Sequence, residues 1–582
     1  MLRAACAGMK TLQLSALALL AVGFLACDDG TESETDNATA LASETTVEAQ
    51  AVRALLNDPV TTSDILVTGK VTKAAAKAII AHRNGADAAA KSADDDLFDT
   101  IVELDAVSGV GPATYKRLVT LADQRGYLAA QNAKKRSVIF SPQTADKTHS
   151  VEVAKRIGAA KESIDIAMYS YSDAGIGTAL ADAVKRGVKV RMVFETASED
   201  RKLTGTALTN SKSGKLETAG VDVRWVNKIM HHKFMIVDGP RDDAEAAKTA
   251  TIVSGSANWS SGAGTKYDEN TMFLAAYPEL ALELQRDFNT LWEHSKDFVS
   301  NPALVFEAST LVITDDMITD DPGMGIFFTS NNFSVNGSTF SGNGKNTIAD
   351  QLVLAIENAE DRIHIASGHL RSRPVSEALM KKAEEDPTVE IKIYLDGQEY
   401  ISESGNTEQK QAQVTCLAAA TTESKKRACL DKSFLYGLEV ERAGANVRYK
   451  YYAYRWDAGY AAQMHNKFFI VDDALFSGSY NLSDNAEHAT FENMFVFKGP
   501  EFRDLVKSYE DRFQTLWVQG DGLLPGLSAK IDTDTTIPIV FPGMSLSWAQ
   551  VRDLKSLIAK ECPAVNSAPF REEPTAHQVC SK

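Results

Sequence analysis

The sequence predicts an α/β protein made of two similar halves, preceded by a small all-helical domain. From residue 137 onward, short runs rich in Val and Ile alternate with helical stretches, a pattern typical of α/β folds. The pattern then restarts, since IGAAKESIDIAMYSYS is echoed by IENAEDRIHIASGHLR, and VKVRMVFE by VEIKIYLD. Residues 51–130 instead have the composition of short helices. We therefore expect two mixed-sheet halves flanked by helices, over residues 137–300 and 325–520.

Length and composition describe an ordinary globular chain of several domains. The chain has 582 residues, of which 44% are hydrophobic and 24% are charged. These values exclude a wholly disordered, collagen-like or polytopic membrane protein. The formal charge of −17 also excludes a basic coat over the whole surface for nucleic-acid binding, although it leaves room for a local basic groove.

The first residues have the pattern of an export signal. Residues 12–26 form one apolar run that is too short to span a bilayer, and Arg3 and Lys10 supply positive charge before it. We predict a signal peptide over residues 1–26. The run ends in Phe-Leu-Ala before Cys27, which resembles a bacterial lipobox and implies that Cys27 is lipidated. The expected product is a membrane-anchored lipoprotein facing the periplasm or the cell exterior, with plain secretion as the alternative.

Two further segments flank the predicted domains. Residues 27–50 are acidic, rich in Ser and Thr and free of aromatic residues, so we predict a disordered tether that cannot bury enough apolar surface to fold. Residues 521–582 form a C-terminal extension with no catalytic set. Its one clear helix starts at a capping-box pattern, from Ser547 to Gln550.

The cysteines have no CxxC spacing, so a zinc site is not expected. Outside the cytoplasm disulfides persist. The simplest local pairing is Cys416–Cys429 and Cys562–Cys580, which is one of three connectivities open to these four residues.

The helical domain contains a glycine-rich turn between two helical patterns. Gly109 and Gly111 permit a tight turn, and Pro112 suits the first turn of the next helix. This arrangement resembles a helix-hairpin-helix, and is most similar to the DNA-receptor modules of competence systems. The resemblance implies that Gly109, Gly111 and Lys116 bind a DNA phosphate. The alternative is a purely structural or protein-docking role for this domain. The acidic run at 87–96 is either a cation site or a solvated turn.

One polar motif occurs twice, once in each predicted half. Both copies fit H-x-K-x(4)-D, and each is followed by G-S-x-N and then, 11 residues after that Asn, by Glu-Asn. Two copies with the same companions at the same spacing are far more specific than either copy alone. The first set comprises His231, Lys233, Asp238, Ser256, Asn258 and Glu269, and the second comprises His465, Lys467, Asp472, Ser479, Asn481 and Glu492.

These side chains suit phosphoryl chemistry. A His and a Lys that are two positions apart on a strand point to the same face, and therefore into one cleft. Imidazole is suited to act as nucleophile or general acid near neutral pH, and lysine supplies positive charge. Two such sets facing each other would surround one tetrahedral anion and stabilise the transition state of phosphodiester cleavage. Because the two lysines already supply the charge, we expect no metal and no cofactor.

The two motif sets, over residues 137–520, resemble those of the phospholipase D superfamily. The resemblance implies a duplicated sandwich whose halves share one active site. It implies that His231 attacks phosphorus to form a phosphohistidine, while His465 protonates the leaving alcohol and then activates water. The symmetry of the two motifs leaves this order of roles open.

The resemblance also assigns roles to the other motif residues. The lysines would bind the phosphoryl oxygens together with four neutral side chains, namely Ser256, Asn258, Ser479 and Asn481. Glu269 and Glu492 would orient the histidines through the far ring nitrogen. Asp238 and Asp472 complete the catalytic motifs, and we expect them to be structural partners within their halves.

The second half is longer than the first. Its motif follows about 35 extra residues that include Cys416 and Cys429, and such insertions lie on surfaces and can shape an active-site mouth. The aromatic stretch 449–456 precedes the second motif. These aromatic residues either line a groove that stacks on bases or contacts lipid, or form the buried core of a strand.

Three functions stay open. The first is hydrolysis of phospholipid headgroups, which we favour because a lipid-anchored enzyme lies beside that substrate. The second is an extracytoplasmic nuclease acting on DNA or RNA, favoured by the helical domain and by GSANWS with the following DEN, which look like the compact nuclease and cardiolipin-hydrolase branch. The third is a non-catalytic DNA- or envelope-binding lipoprotein. We expect a monomer, and the choice between hydrolysis and transphosphatidylation stays open.

Overall fold

A computed structural model describes residues 41–298, 304–430, 433–454, 462–527 and 539–561, together with positions 568 and 572. The predicted signal peptide, the lipidation site Cys27 and the predicted Cys562–Cys580 disulfide lie outside these residues. Helices and strands alternate in the order that the sequence predicts, after a purely helical N-terminal domain.

The helical domain comprises α1 (Val47–Asn57), α2 (Ser63–Thr68), α3 (Lys73–Arg83), α4 (Ile101–Ala106), α5 (Pro112–Gln124) and α6 (Tyr127–Ala133). The first half comprises β1 (Lys135–Ser141), α7 (His149–Ala159), β2 (Ser163–Met168), α8 (Ala174–Lys185), β3 (Lys189–Phe194), α9 (Ala197–Asp200), α10 (Gly205–Asn210), α11 (Lys212–Thr218), β4 (Asp222–Trp225), β5 (Ile229–Met230), β6 (Lys233–Val237), β7 (Thr251–Gly255), α12 (Ser261–Thr265), β8 (Glu269–Ala275), α13 (Pro278–Glu293) and β9 (Lys296–Asp297).

The second half and the extension comprise β10 (Met324–Phe328), β11 (Phe333–Asn336), β12 (Thr339–Gly342), α14 (Thr347–Glu357), β13 (Arg362–Ser367), α15 (Arg373–Glu385), β14 (Glu390–Asp396), α16 (Glu403–Ala419), α17 (Glu423–Leu430), α18 (Gly437–Arg442), β15 (Asn446–Tyr454), β16 (Lys467–Val471), β17 (Ala474–Gly478), α19 (Asp484–His488), β18 (Thr490–Phe491), β19 (Asn493–Phe497), α20 (Arg503–Trp517), β20 (Ile539–Ser547) and α21 (Trp548–Glu561).

The two halves have the same sheet topology. The strand order is β1-β8-β7-β6-β2-β3-β4-β9 in the first and β10-β19-β17-β16-β13-β14-β15-β20 in the second. In each sheet three neighbouring strands are parallel, β2-β3-β4 and β13-β14-β15, and the other pairings are antiparallel. The predicted duplicated α/β fold with mixed sheets is therefore confirmed.

The motif strands β6 and β16 lie at the middle of their sheets. Each is flanked by the first strand of the parallel trio on one side and by a hairpin partner on the other. One buried apolar cluster draws on both halves, with Phe234 and Phe288 from the first and Phe468 and Phe513 from the second. Burying each such side chain contributes about 1.5–3 kcal/mol, so this shared cluster holds the halves together and fixes the motif strands against each other.

The helical domain begins earlier than the sequence suggests. Helix α1 starts at Val47, with the Thr46 hydroxyl accepting the Ala49 N–H at its N-terminus. The Glu44 carboxylate accepts the N–H of Ile101 at the start of α4. The tether predicted over 27–50 is therefore wrong for residues 41–50, because Thr and Glu side chains there cap helices instead of remaining solvated. An ion pair from Arg53 to Glu501, at 2.7 Å, ties this domain to the second half.

The C-terminal extension is part of the second sheet. Strand β20 pairs antiparallel with β15 and fills the place that β9 occupies in the first sheet. The predicted capping box is present, because the Ser547 hydroxyl accepts the Gln550 N–H and the Gln550 side chain accepts the Ser547 N–H. The extension therefore completes the sheet of the second half.

The predicted Cys416–Cys429 disulfide is also present, and joins α16 to α17 in the insertion of the second half. None of the helices in the described part of the chain combines the length and the apolar character needed to cross a bilayer.

Candidate active site

The four ionisable motif side chains lie where β6 and β16 begin. Lys233 and Lys467 are the first residues of these strands, and each histidine stands two positions earlier. The His231 N–H donates to the carbonyl of Phe491 in the second half at 3.2 Å. The His465 N–H donates to the carbonyl of Asp268 in the first half at 3.0 Å. Each histidine is therefore held by the backbone of the opposite half, at one junction.

The histidines are also paired with carboxylates across the two halves. Nδ1 of His465 lies 2.7 Å from Oε1 of Glu269, and Nδ1 of His231 lies 2.7 Å from Oε1 of Glu492. The structure brings together the residues that the sequence pairs as histidine and orienting glutamate, but each glutamate serves the histidine of the other half. The His465–Glu269 contact is a hydrogen bond, whereas the His231–Glu492 contact has ion-pair distance without hydrogen-bond geometry among the described residues. A proton held on Nδ1 by a carboxylate leaves the lone pair on Nε2, which is the form needed for a nucleophile or a base.

Ser256 and Ser479 contact the glutamates of their own motif sets. The Ser256 hydroxyl donates to Oε2 of Glu269 and the Ser479 hydroxyl donates to Oε2 of Glu492, both at 2.6 Å. Each hydroxyl also accepts a backbone N–H, from Asn270 and Asn493 respectively, and both serines are fully buried. Their single protons are directed at the glutamates, so the structure supports a positioning role for these serines, and phosphate binding by them stays a prediction.

Both motif lysines contact their own histidine. Nζ of Lys233 lies 2.8 Å from the His231 carbonyl and 3.3 Å from its Nε2, and Nζ of Lys467 lies 2.9 Å and 3.3 Å from the same atoms of His465. Burial lowers the pKa of Lys233 to about 7 and that of Lys467 to about 8. A bound phosphodiester anion opposes this effect, since a nearby negative charge favours the ammonium form.

Burial shifts the other ionisable groups of the site as well. It lowers the pKa of both histidines well below the usual value, and the neighbouring lysines lower it further. It raises the pKa of Glu269 to about 8 and that of Glu492 to about 7, against the lowering effect of the lysines. The imidazoles are therefore neutral at neutral pH, and the site gains charge most readily when an anion enters it.

Asn258 and Asn481 remain candidates for binding phosphoryl oxygens. Both are half-buried, and among the described residues the side-chain carbonyl of each has no hydrogen-bond partner. Which end of an amide is O and which is N is an assignment, so either end of these side chains can face a ligand. The Asn258 backbone is fixed by His149, whose Nε2 lies 2.9 Å from the Asn258 carbonyl.

Asp238 and Asp472 stand at the far ends of the motif strands. Each adopts a left-handed backbone, with φ of 49° and 51°. The Asp238 carboxylate accepts the N–H groups of residues 161–163, and the Asp472 carboxylate accepts those of residues 360–362. They bind the turns that lead into β2 and β13 and do not touch the histidines. Their role is therefore structural, as expected, and they are not catalytic residues.

Two positioning carboxylates were missed by the sequence reasoning. Glu195 accepts the N–H of Met230 at 2.7 Å, and Asp396 accepts the N–H of Met464 at 2.8 Å. Each methionine directly precedes a motif histidine. A signal was present, because Glu195 and Asp396 end the echoed strands VKVRMVFE and VEIKIYLD at the same place.

The surroundings of the two histidines differ. The Tyr169 ring packs against the His231 ring, with 4.7 Å between centroids. On the second-half side, His369 and Arg371 share the buried Glu399 carboxylate. A cavity of about 410 Å³ lies elsewhere, between the helical domain and both halves, whereas a cavity of about 540 Å³ is lined by Asn481, His369 and Arg371. The second cavity reaches the motif set through Asn481.

The aromatic stretch before the second motif is mostly strand core. Tyr449 and Tyr452 lie on β15 and are buried. Residues 455 and 456, the end of the stretch, lie outside the described residues. Tyr449 and Tyr452 therefore pack in the interior, as strand core.

The glycine turn of the helical domain joins α4 to α5. Gly109 has φ of 83° and is exposed, and Gly111 precedes Pro112 at the start of α5. Lys116 is exposed on the same helix. The acidic run that follows α3 is organised by local contacts, since the Asp94 carboxylate accepts the N–H groups of Ala86 and Asp87.

The site as a whole can accommodate chemistry on a tetrahedral anion. Two neutral imidazoles, each with an oriented Nδ1, stand beside two lysines whose charge is favoured by an anion. Such an arrangement supplies a nucleophile, a proton donor and charge stabilisation without further groups.

Comparison with known proteins gives the same picture of duplication. The sequence profile of a family described as "Cardiolipin synthase, PLD-like domain" matches residues 153–292 and 352–517. The two matched segments coincide with the two halves, and together they cover more than half of the chain.

Individual relatives match a shorter stretch. Mitochondrial cardiolipin hydrolase from Danio rerio is 34% identical over 139 residues, which are 23% of this chain and 53% of the relative. Phospholipase D from Rickettsia conorii is 32% identical over 124 residues, which are 21% of this chain and 54% of the relative. The chain thus spans about half the length of these curated relatives. The crystal structure of a phospholipase D family member, Nuc from Salmonella typhimurium, is 29% identical, with 29% of this chain and 99% of that chain covered and a TM-score of 0.23.

Proposed function

The chain belongs to the cardiolipin synthase and phospholipase D-like family, and from this premise we propose that it is a phosphodiesterase that hydrolyses phospholipid headgroups. The observation that carries the proposal is the crossed pair of His–Glu contacts, His231 with Glu492 and His465 with Glu269. Neither contact exists unless both halves contribute, and together they give two oriented imidazoles in one site.

The reaction follows from the two imidazoles. Nε2 of one histidine attacks phosphorus, and the bond from phosphorus to the alcohol oxygen breaks to leave a phosphohistidine. The bound phosphodiester anion favours the imidazolium form of the other histidine, which gives its Nε2 proton to the leaving alcohol and becomes neutral. It then removes a proton from water, whose oxygen attacks phosphorus and releases the first histidine. We assign the attack to His231 and the proton transfers to His465, as the family resemblance implies.

Lysines and amides stabilise the charge that develops. Lys233 and Lys467 stand beside Nε2 of their histidines, which places their ammonium groups next to the attacked phosphorus. Asn258 and Asn481 offer side-chain amides to the phosphoryl oxygens. Donors already in place at the developing charge are usually the largest single contribution to such catalysis.

A phospholipid substrate is supported by the named relatives, which are cardiolipin hydrolases and phospholipases D. We also propose that the chain is exported and anchored through Cys27, which would keep it next to a lipid surface. Palmitate labelling of the wild-type chain and of Cys27→Ala in a bacterial host tests the anchor. Label that persists in Cys27→Ala would overturn it.

A nuclease is the second candidate, and the α4–α5 turn is the observation that favours it. Gly109, Gly111 and the exposed Lys116 stand at the start of a 13-residue helix, as a phosphate-binding hairpin requires. The helical domain would then bring nucleic acid to the same two histidines.

One assay separates these substrates. The chain without residues 1–27 is incubated, with EDTA present, with phosphatidylcholine, cardiolipin, and single- and double-stranded DNA. Headgroup release without DNA cleavage supports the proposal, whereas cleavage of DNA alone overturns it in favour of the nuclease. His231→Ala and His465→Ala should each abolish the activity, and His294→Ala, at a half-buried histidine outside the motif sets, is the matched control. Full activity in both motif variants would refute the mechanism.

A further inference from the structure

The two halves differ directly behind their catalytic glutamates. Glu269 is preceded by Asp268, and Glu492 is preceded by Phe491. The Asp268 side chain is fully buried and its carboxylate lies 2.7 Å from Nζ of Lys450 and 2.9 Å from Nη2 of Arg512. Phe491 instead packs against apolar rings, those of Phe333 and Phe340. An ionic cluster thus occupies one half where an aromatic cluster occupies the other.

The cations of this cluster have no cationic counterpart at the corresponding positions of the first half. Lys450 pairs with Asp396 in the β14–β15 register, and the corresponding position after β4 is Val226. Arg512 precedes Phe513 on α20, and the corresponding residue before Phe288 on α13 is Asp287, which lies beside His232. Lys450 is 2% exposed, so its ammonium group is committed to the interior.

The cluster grips the strand that carries Glu269. Both cations belong to the second half, whereas Asp268 and Glu269 belong to the first. Arg512 donates to the Asp268 carboxylate and also to the carbonyl of Ser141, which lies opposite Glu269 in the β1–β8 register. The Asp268 carbonyl in turn accepts the N–H of His465. The second half therefore holds its own histidine and the partner glutamate through the same buried residue.

We propose that Asp268, Lys450 and Arg512 are positioning residues that hold Glu269 on Nδ1 of His465, and that only this histidine depends on an ion pair between the halves. The catalytic consequence rests on the proposed function, since it concerns the step that His465 performs. The Asp268 carboxylate, next to Glu269 in the chain, is held by a charge-assisted hydrogen bond from Arg512 and by the nearby Lys450 ammonium group. The Glu492 carboxylate instead contacts the hydroxyls of Ser479 and Thr490. The two glutamates are therefore held by different kinds of contact, although their motifs are the same.

A spectroscopic experiment tests the positioning itself. In the chain labelled with ¹⁵N-histidine, the ring nitrogens of His465 and His231 give separate resonances, which His231→Gln and His465→Gln assign. Lys450→Met should shift or remove the His465 resonance and leave that of His231 in place. The control is Lys392→Met, on the neighbouring strand β14, which should change neither.

Loss of Lys450 alone removes one of the charges that pair with the buried Asp268 carboxylate, and this can prevent folding. The double variant Asp268→Asn with Lys450→Met removes both charges, and Arg512→Gln weakens the cluster from its more exposed end, where the side chain is 19% exposed. In any of these variants that folds, the His465 resonance should move alone. If both resonances move together, or neither moves, the cluster is only structural and the proposal is overturned.

A kinetic arm ties the cluster to catalysis. With an alkyl leaving group, kcat should fall about tenfold to a hundredfold in the double variant, with KM unchanged, as for loss of a hydrogen bond to a charged group. With p-nitrophenol as leaving group, which needs no proton, the first burst should stay at the wild-type rate. An equal loss in the burst for both substrates contradicts the assignment of this cluster to His465. The resonances report the positioning even if no substrate is cleaved, so failure of the proposed function is recognised separately.

Discussion

Glu269 and His465 lie 196 positions apart in the chain, yet Oε1 of the glutamate and Nδ1 of the histidine meet at 2.7 Å. The mirror contact joins Glu492 to His231. Each half therefore contributes a histidine, a lysine and the carboxylate that the other half needs. The shared site is built from two exchanged parts and not from two separate sets that face each other.

The first prediction concerns these glutamates. Glu269→Gln and Glu492→Gln should each lower kcat by about 10²–10⁴-fold, the range for loss of an oriented acid or base. The volume is kept, so thermal unfolding should change little. Steady-state kinetics with circular dichroism checks both points, and Glu360→Gln, at an exposed glutamate, is the control. Wild-type kcat in either motif variant would exclude the orienting role.

The second prediction separates the serines from the asparagines. Ser256→Ala and Ser479→Ala should lower kcat with little effect on KM, because these hydroxyls hold the glutamates and not the substrate. Asn258→Ala and Asn481→Ala should weaken binding of a non-cleavable phosphodiester as well, by about tenfold. Calorimetric titration of all four variants checks this. Loss of binding in the serine variants would restore them as phosphate ligands.

The third prediction is a decline of activity above neutral pH. The pKa of Lys233 is lowered to about 7 and that of Lys467 to about 8 by burial. A lysine whose pKa is lowered loses its charge as pH rises through that value, so the free enzyme loses its anion-binding charge there. A profile of kcat/KM between about pH 5 and pH 10 should therefore fall on the alkaline side near these values. A flat profile across that range would show that lysine charge is not needed.

The fourth prediction concerns stability and lies away from the site. Glu217, Asp222 and Asp297 bring three carboxylates together. Burial raises the pKa of Glu217 to about 7, so the folded chain binds more protons than the unfolded chain between the ordinary value and 7. Stability at this residue is thus present at low pH and lost as pH rises through that window.

Glu217→Gln should remove this loss. At pH 8 we expect the free energy of unfolding to rise by about 1 kcal/mol, and at pH 4 we expect no gain. Urea unfolding at both pH values measures the difference, with Glu245→Gln, at an exposed glutamate, as the control. A gain of equal size at pH 4 would rule out titration as the cause.

The sequence predicts much of this fold because its signals are local. Alternating Val and Ile runs set the strands, and the spacing from Asn258 to Glu269 repeats from Asn481 to Glu492. The exchange of glutamates is not local, since it depends on how β5 of one half pairs with β18 of the other. For the same reason the sequence does not reveal that Ser256 contacts Glu269, because this depends on the distance between two strands.

In the helical domain the error is of the opposite kind, because there the local sequence pattern itself was ambiguous. Threonines at 46, 62, 72 and 100 each accept an N–H at a helix start. Single polar residues of this kind are common in flexible segments too, so composition alone placed residues 41–50 in a tether. Only the arrangement of the helices that they cap distinguishes the two cases.

Because each half supplies the glutamate of the other, the enzyme can become active only after its two halves have docked. A chain whose halves had each folded, but had not yet docked, would carry two imidazoles without their partners and no working centre. Half of the chain, expressed alone, would need a second copy of a similar half to regain one. Turnover therefore begins at the last event of folding, so the appearance of activity during refolding would time the docking of the halves, while circular dichroism times the formation of their sheets.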